Sequence, residues 1–483
     1  MDAYTAWIML AAAATFLAVV VASSLLSGKK TKLPLPPGSF GLPIIGQTLS
    51  YHRALNANAG EDWFRRWITT YGPVSRLSYF NTPTAILAGP SGNKFIFSSA
   101  SVTAKTTASM ARMIGRRTLQ DVVGDEHRRV RTLILRFLQP DACKRYVAGM
   151  DAEVRRHLDA QWKGRTTVAV MPAMKDLTFD VMCTALFSLE RDGGENDAVR
   201  QVLSTEFQQL VKGISVVPLN LPFTSFSKCL AASRRGRRAV SGIIEERRAR
   251  LEKGQSSPTD DVVTHMIAEG LPEEDIIDNV MFLMIAAHDT TAALLTFLIR
   301  YLDANRDAYE KLVHEQEEIA QCKAPDEALS WEDLSKMRHT WAAAQETLRL
   351  IPPVFSILRE TTDDIEFAGY RIPKGWQLLQ PTSTTHWDPK IFPEPEMFDP
   401  ARFMDASAVP PFCFIPFGGG PRMCPGNEFG RVETLVAMHY IVTRFRWKLA
   451  PSCDGSYARF PLPYPSQGFL IDIQPRHRQQ TNA

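Results

Sequence analysis

The residues best suited to chemistry lie in one short run, Pro416-Phe417-Gly418-Gly419-Gly420-Pro421-Arg422-Met423-Cys424-Pro425-Gly426. Consecutive glycines let a backbone fold sharply and approach a flat ligand closely. Cys424 stands just before a helical pattern running from Glu428 to Arg446, where backbone N–H groups and the helix dipole favour a thiolate. Arg422, two residues away, can meet an anionic group. A single thiolate on a glycine-rich turn beside an arginine suits an axial ligand of haem iron. A phosphate loop would instead need Gly-Lys-Ser/Thr at the helix start, and this run has none.

Other residue pairs have spacings that matter. Asp289 and Thr290 sit side by side in Ala286-Ala287-His288-Asp289-Thr290-Thr291. The surrounding helix should start near Pro272, with Glu273 and Glu274 in its first turn. It is apolar on most faces from Ile276 to Ile299, so it should be buried, and a buried acid beside a hydroxyl calls for an explanation. One explanation is local: Thr290 bonds back to the carbonyl four residues earlier, and Asp289 reaches a surface partner. Glu346 and Arg349 are an i,i+3 pair that share a helix face, a spacing most often seen in plain surface ion pairs. His127 and Arg131, at i,i+4, point the same way.

These residues need elements to hold them. Residues 60 to 350 read mostly as amphipathic helices, with strand-like patches at Val74–Tyr79 and Thr84–Leu87. The polar stretch from Glu252 to Asp261 reads as a loop within one domain. From Pro352 prolines cluster, strand-like runs appear at Ile365–Tyr370 and Gln377–Gln380, and the chain leads into the glycine-rich loop. The expected fold class is mainly α, a large helical body with a minor β-rich part.

Composition agrees with a globular body. The chain has 483 residues, 45% hydrophobic and 22% charged, which excludes collagen, coiled coil and disorder as readings of the whole. Lys plus Arg total 55 against 52 for Asp plus Glu, a net charge of +3, so no nucleic-acid partner is expected. The basic run from Arg234 to Arg250 is interleaved with Glu245 and Glu246 and reads as a solvated helix face. Seven dispersed cysteines without a CxxC pair argue against a disulfide framework or structural zinc and favour a reducing compartment.

The N-terminus carries no charge from Ala3 to Gly28, and Lys29, Lys30 and Lys32 follow. Its apolar centre is long enough to cross one bilayer core. A cleaved signal would carry its basic residues before the apolar run, so segment 3–28 is expected to be an uncleaved transmembrane anchor with the catalytic body on the cytosolic side. Residues 29–43, basic and then proline-rich, read as a stiff linker, and 44–483 as the catalytic domain.

The run around Cys424 resembles the FxxGxRxCxG segment of the haem-thiolate monooxygenases, the cytochrome P-450 superfamily: Phe417, Gly420, Arg422, Cys424 and Gly426 fill its fixed positions. Further elements follow in family order and extend the resemblance over essentially the whole chain. Glu346-Thr347-Leu348-Arg349 is similar to its ExxR, and Phe398-Asp399-Pro400-Ala401-Arg402-Phe403 to its PxRF. The resemblance implies that Glu346, Arg349 and Arg402 form a buried network locking the loop of Cys424. It implies that Cys424 ligates the iron of haem b and that Asp289 and Thr290 deliver protons during dioxygen activation. Ala287 stands where the family usually has glycine. His127-x-x-x-Arg131 occupies the place of WxxxR, so His127, Arg131 and Arg359 are candidates for holding haem propionates.

Since no GxGxxG or other nicotinamide fingerprint is present, the electrons are expected from a separate NADPH-dependent flavoprotein reductase, for which Arg128, Arg129 and Lys336 offer basic docking residues or simply solvated charge. The substrate-facing stretches implied by the family include Phe207, Leu210, Phe282, Ile285, Ala286, Val354, Phe355 and Ile357, with about half of these stretches expected to be plain core. They suit a hydrophobic small molecule. The opening LPLPPGSFGLPIIGQTLS and the run PLNLPFTSF look like the plant branch acting on sterols, triterpenes, brassinosteroids and related hormones, although Phe223 replaces its usual glycine. The expected activity is hydroxylation of an isoprenoid at the endoplasmic reticulum membrane. Two rival readings are a haem-thiolate isomerase or dehydratase acting on a hydroperoxide, which the Asp289–Thr290 pair opposes, and a haem-binding sensor without turnover.

Overall fold

The structure, a computed structural model, describes residues 33–42, 45–213, 220–324, 326–460 and 462–476. The anchor expected at 3–28 lies outside the described residues, as does the basic start of the linker. The proline-rich part of the linker is not a free spacer. The Arg76 N–H donates to the Pro37 carbonyl at 2.8 Å and the Arg371 N–H to the Pro34 carbonyl at 2.9 Å, so it lies against the β part of the body.

Helices dominate. Those that build the site are α1 (Ala108–Ile114), α2 (Gly124–Leu135), α3 (Pro140–Gln161), α4 (Val170–Phe187), α5 (Glu195–Gly213), α6 (Ser225–Glu252), α7 (Glu273–Ala304), α8 (Arg338–Leu350) and α9 (Asn427–Arg444). The long helix α7 runs through the main core, packed by α4, α6, α8 and α9. Pro272 precedes it, and Glu273, Glu274 and Asp275 fill its first turn, where acids complement the helix dipole. Among the described residues α7 alone is long and apolar enough to cross a bilayer, yet most of its apolar stretch is buried in the body. It is a core helix.

The β part is a mixed sheet in the order β1 (Val74–Tyr79), β2 (Thr82–Leu87), β5 (Gln377–Pro381), β4 (Ser356–Thr361), β3 (Val102–Ala104). Only β2 and β5 are parallel, and Arg359 on β4 lies opposite Leu378 of β5 and Ala104 of β3. The run at Ile365–Tyr370 is not one strand. It is a hairpin of Ile365–Phe367 and Tyr370–Ile372, turned by Ala368 and Gly369, both at positive φ. The last helix also stops earlier than its pattern: Phe445–Leu449, with Phe445 and Trp447 buried on alternate positions, joins a three-stranded antiparallel sheet with Leu470–Pro475 and Thr167–Ala169.

The arginine run of α6 is mostly exposed, as expected of a solvated face, but several members are tied to acidic partners. Arg235 pairs with Glu206 at 2.6 Å, Arg237 with Asp278 at 2.7 Å and buried Arg247 with Asp261 at 3.0 Å. All seven cysteines are free thiols.

Candidate active site

The loop of Cys424 is shaped from both ends. The Cys424 N–H donates to the Phe417 carbonyl at 2.9 Å, closing the turn. Gly420 has φ +65°, and a Cβ there would lie 2.1 Å from the Phe97 carbonyl oxygen. Only glycine fits that position, because the loop is pressed against the helix that ends at Ser98. Gly426 is different: its φ is −93° and a Cβ would meet only the Cys424 sulfur, at 4.0 Å. Half-buried Cys424 sits ahead of α9. Burial pushes its thiol up, against the pull of the Gly426 N–H and of Arg131. The thiolate bias expected from the helix start is therefore outweighed within the chain itself.

Beside the sulfur, three guanidinium groups and a neutral imidazole converge from separate elements. His127 and Arg131 come from α2, Arg359 from β4 and Arg422 from the Cys424 loop. Burial, then Arg422, push Arg359 down to about 10. Burial, Arg422 and Arg131 push His127 down to about 4. Burial likewise lowers Arg131 and Arg422; Asp121 offsets part of the effect on Arg422. Partly buried cations that repel one another are an arrangement that a dianion relieves. Arg422 has a further task that its spacing did not reveal: it donates to the carbonyls of Gln120 at 3.0 Å and Val122 at 2.7 Å. Its Nε–H has no partner among the described residues.

Helix α7 packs against α9, the helix that follows Cys424. Its residues are buried along nearly the whole helix except at Phe282, Ile285, Ala286, Ala287 and Thr290, which are half-buried. Positions 282, 286 and 290 are an i,i+4,i+8 stripe on one face. Helix α9, which follows Cys424, meets α7 at the next residue, Thr291: a Cβ on Gly430 would stand 3.7 Å from the Thr291 hydroxyl. The half-open stripe, the thiol and the cationic edge thus border the same region. A flat dianion with a metal at its centre fits this donor set: a soft sulfur on one side, guanidinium groups at the edge and an apolar helix face opposite.

The acid and the alcohol do not meet. The Thr290 hydroxyl donates to the Ala286 carbonyl at 2.7 Å. The Asp289 carboxylate, 2% exposed, turns instead to the Lys175 ammonium of α4 at 2.5 Å, with His288 Nδ1 at 3.6 Å. The local explanation open from the sequence is the one the structure adopts. Burial alone would push Asp289 up, but His288 and Lys175 hold it at about 2. The sign follows directly. With a folded pKa below the unfolded value of about 4, Asp289 contributes stability at neutral pH that is lost as pH falls from about 4 towards 2. Wild type should exceed Asp289→Asn by about 2 kcal/mol in denaturant unfolding at pH 6, and the gap should close towards pH 3. A gap independent of pH would remove this account.

Glu346 and Arg349, both 0% exposed, form the expected buried pair. Arg349 donates to both Glu346 oxygens at 2.7 Å, to the carbonyls of His386 and Pro395 at 2.8 Å and to that of Met397 at 3.0 Å. Every guanidinium hydrogen is used. Arg402 joins loosely, its Nε 3.5 Å from Glu346 without a hydrogen bond, its Nη2 donating to the Glu394 carbonyl. One member of this assembly carried no sequence signal. Fully buried His386 accepts from the Ile415 N–H at 2.9 Å through Nε2, so Nδ1 holds the proton and donates to the Arg349 carbonyl at 3.2 Å. Burial and Arg349 push it down to about 3, keeping it neutral. His386 therefore ties α8 to the approach of the Cys424 loop. It stands alone in Thr382-Ser383-Thr384-Thr385-His386-Trp387, with no spacing to announce it.

Several residues expected to face substrate do not. Phe207 and Leu210 of α5 are fully enclosed in the main core, where Phe207 packs towards Gly236 and Met281. Phe355 belongs to a satellite aromatic cluster with Phe64, their ring centroids 6.0 Å apart. Val354 is exposed on the surface. Ile357 is half-buried, as are Phe282, Ile285 and Ala286. Of the basic docking residues, Arg128 pairs with Asp125, Arg129 donates to the Glu269 carbonyl and Lys336 lies 3.5 Å from Asp333.

Comparison with known proteins agrees with this geometry. Cytochrome P450 716A1 of Arabidopsis thaliana is 36% identical over 449 residues, covering 92% of this chain and 93% of that protein. The beta-amyrin 28-monooxygenase of Barbarea vulgaris is 38% identical over 449 residues, covering 91% and 93%. The beta-amyrin 16-beta-monooxygenase of Platycodon grandiflorus is 38% identical over 472 residues, covering 95% and 96%. Among solved structures, retinoic-acid-bound cyanobacterial CYP120A1 superimposes with a TM-score of 0.81 at 30% identity, over 92% of this chain and 100% of that one. A family model described as Cytochrome P450 matches residues 36–459. With that match spanning the glycine-rich loop, the buried Glu346–Arg349 pair and the half-open helix alike, the chain belongs to the cytochrome P450 family and is a haem-dependent monooxygenase.

Proposed function

We propose that this monooxygenase hydroxylates a pentacyclic triterpenoid of the beta-amyrin type. The observation that carries the reading is that relatives from several plants, alike over nine-tenths of the chain, are named for oxidation of beta-amyrin at different carbons. The apolar half-open face of Phe282, Ile285 and Ala286 supports a rigid hydrocarbon substrate with few polar groups.

In this reading Cys424 would ligate the haem iron through its sulfur, and Arg131, Arg359, Arg422 and His127 would hold the haem propionates. Haem, when bound, supplies dioxygen activation and insertion of one oxygen atom into a C–H bond, the other leaving as water with two protons and with two electrons from NADPH through a flavoprotein reductase. The protein's part is position and proton control. Phe282, Ile285 and Ala286 exclude water from the substrate face. The Thr290 hydroxyl is the polar group of that face, held by the Ala286 carbonyl. Asp289, ionised by its partners, accepts hydrogen bonds rather than protons and reaches Thr290 only by leaving Lys175. Segment 3–28 anchors the chain in the endoplasmic reticulum membrane in a single pass, with the body in the cytosol.

The test is full-length protein in microsomes with a plant NADPH-dependent reductase and beta-amyrin, products read by mass spectrometry. A hydroxylated triterpene that requires NADPH is expected. A protein with an intact ferrous carbon monoxide spectrum that leaves beta-amyrin and related triterpenes unchanged would overturn the substrate assignment.

A further inference from the structure

The connector between α1 and α2 is held from three sides. From α6, the Ser233 hydroxyl donates to the Met113 carbonyl at 2.5 Å, and Arg237 reaches the Ile114 carbonyl at 3.4 Å. From α7, one oxygen of Asp278 accepts the N–H groups of Arg116 and Arg117, both at 3.0 Å, and Asn279 accepts from the Leu119 N–H at 2.8 Å. From the Cys424 loop, Arg422 takes the carbonyls of Gln120 and Val122. Gly115 makes the approach possible: its φ is +101°, and a Cβ there would fall 1.9 Å from Asp278 Oδ2.

These grips differ in kind. Arg422 and Asn279 hold residues 119–122, next to the cationic edge. Arg117 is held as well by its side chain on Asp275 at 2.6 Å and by Asn279 on its carbonyl at 3.0 Å. The N–H groups of Arg116 and Arg117 share one carboxylate, whose other oxygen accepts from Arg237 at 2.7 Å. Asp278 is 4% exposed, so Arg237 is what balances a buried carboxylate. The Arg237–Asp278 pair is thus the point where α6, α7 and the connector backbone meet, alongside the peripheral pairs of Arg237 with Glu274 and of Arg117 with Asp275. Asp278 lies one turn before Phe282, on the approach to the half-open stripe.

We propose that the Arg237–Asp278 pair is the latch of the ligand chamber: it fixes α6 and residues 113–117 to α7, and so sets how fast ligands enter and leave the space beside Phe282, Ile285 and Ala286. The proposal rests on reading that space as the chamber over haem. Released at Asp278, the connector pivots on residues 117–122, which Asp275, Asn279 and Arg422 keep in place, so haem retention is spared. Both residues act through backbone they position and touch no reacting atom.

The test uses haem-loaded full-length protein and two readouts. Amide hydrogen exchange of residues 113–117 should accelerate about tenfold in Arg237→Gln and in Asp278→Asn, matching the loss of one charge-assisted hydrogen bond. Stopped-flow Soret shifts with 1-phenylimidazole should show association and dissociation both faster, with the equilibrium constant little changed. The double variant should match either single one. Arg237→Lys, which keeps the charge, should restore most of the protection. Arg237 is partly exposed, so its variants remain informative if Asp278→Asn does not fold. Unchanged exchange in Arg237→Gln, or strictly additive effects in the double variant, would overturn the latch. Absence of any Soret shift in wild type would instead overturn the haem reading, while the exchange arm still decides the latch.

Discussion

Arg349→Leu should yield no stable haem protein. The substitution leaves the Glu346 carboxylate buried without its partner, a loss worth about 3–5 kcal/mol. It also strips the Arg349 donor from the carbonyls of Pro395 and Met397, each worth about 1–3 kcal/mol if left dry. Together these approach the whole stability of an ordinary domain, about 5–15 kcal/mol. The double variant Glu346→Leu/Arg349→Leu should recover part of the loss, because it removes the stranded charge while leaving the carbonyl defect. Expression yield, haem content and thermal midpoint of the three proteins measure this. A single variant as stable as wild type, or a double variant worse than the sum of the singles, would show that Arg349 does not support the loop through Glu346.

Cys424→Ser should retain the fold and lose the activity. The Cys424 N–H bond to Phe417 uses only backbone, and the glycine geometry of the loop does not involve the side chain. The alcohol cannot supply a thiolate, so turnover should fall at least about a thousandfold, or ~4 kcal/mol of barrier. The strongly red-shifted ferrous carbon monoxide band should disappear, with circular dichroism unchanged. A red-shifted band that persists in this variant would place the sulfur ligand elsewhere in the chain.

Much of this site could be read in the residues. The loop of Cys424 and the span of α7 follow from local signals: glycine at a left-handed position, and a long apolar run behind an acidic first turn. The burial of Glu346 and Arg349 came from the resemblance, since charges at i,i+3 by themselves read as a surface pair. What escaped depends on contacts between distant segments. His386 is one uncharged histidine among hydroxyl residues, and only the fold brings it to Ile415. Arg422 reads as an anion partner, yet half of its donors serve carbonyls three hundred residues earlier, where no spacing rule applies. Phe207, Leu210 and Phe355 were expected at the substrate because apolar residues in cavity walls and in cores have the same composition. The direction of Asp289 could not be decided from sequence, since Lys175 lies on another helix. Within the largely exposed arginine run of α6, the paired members Arg235, Arg237 and Arg247 could not be told apart, because their acidic partners, Glu206, Asp278 and Asp261, lie outside that run.

The converging guanidinium groups around Cys424 bear on how the protein is made. Arg131, Arg359 and Arg422 approach one another although each would be better hydrated apart, so the folding chain meets a local cost at this edge. Binding a dianion removes that cost, which makes prosthetic-group capture part of folding rather than a step that follows it. A cell that synthesises this chain faster than it supplies haem should therefore accumulate protein loosened at that edge and open to proteolysis. The yield of mature enzyme would then be limited by porphyrin supply, not by translation.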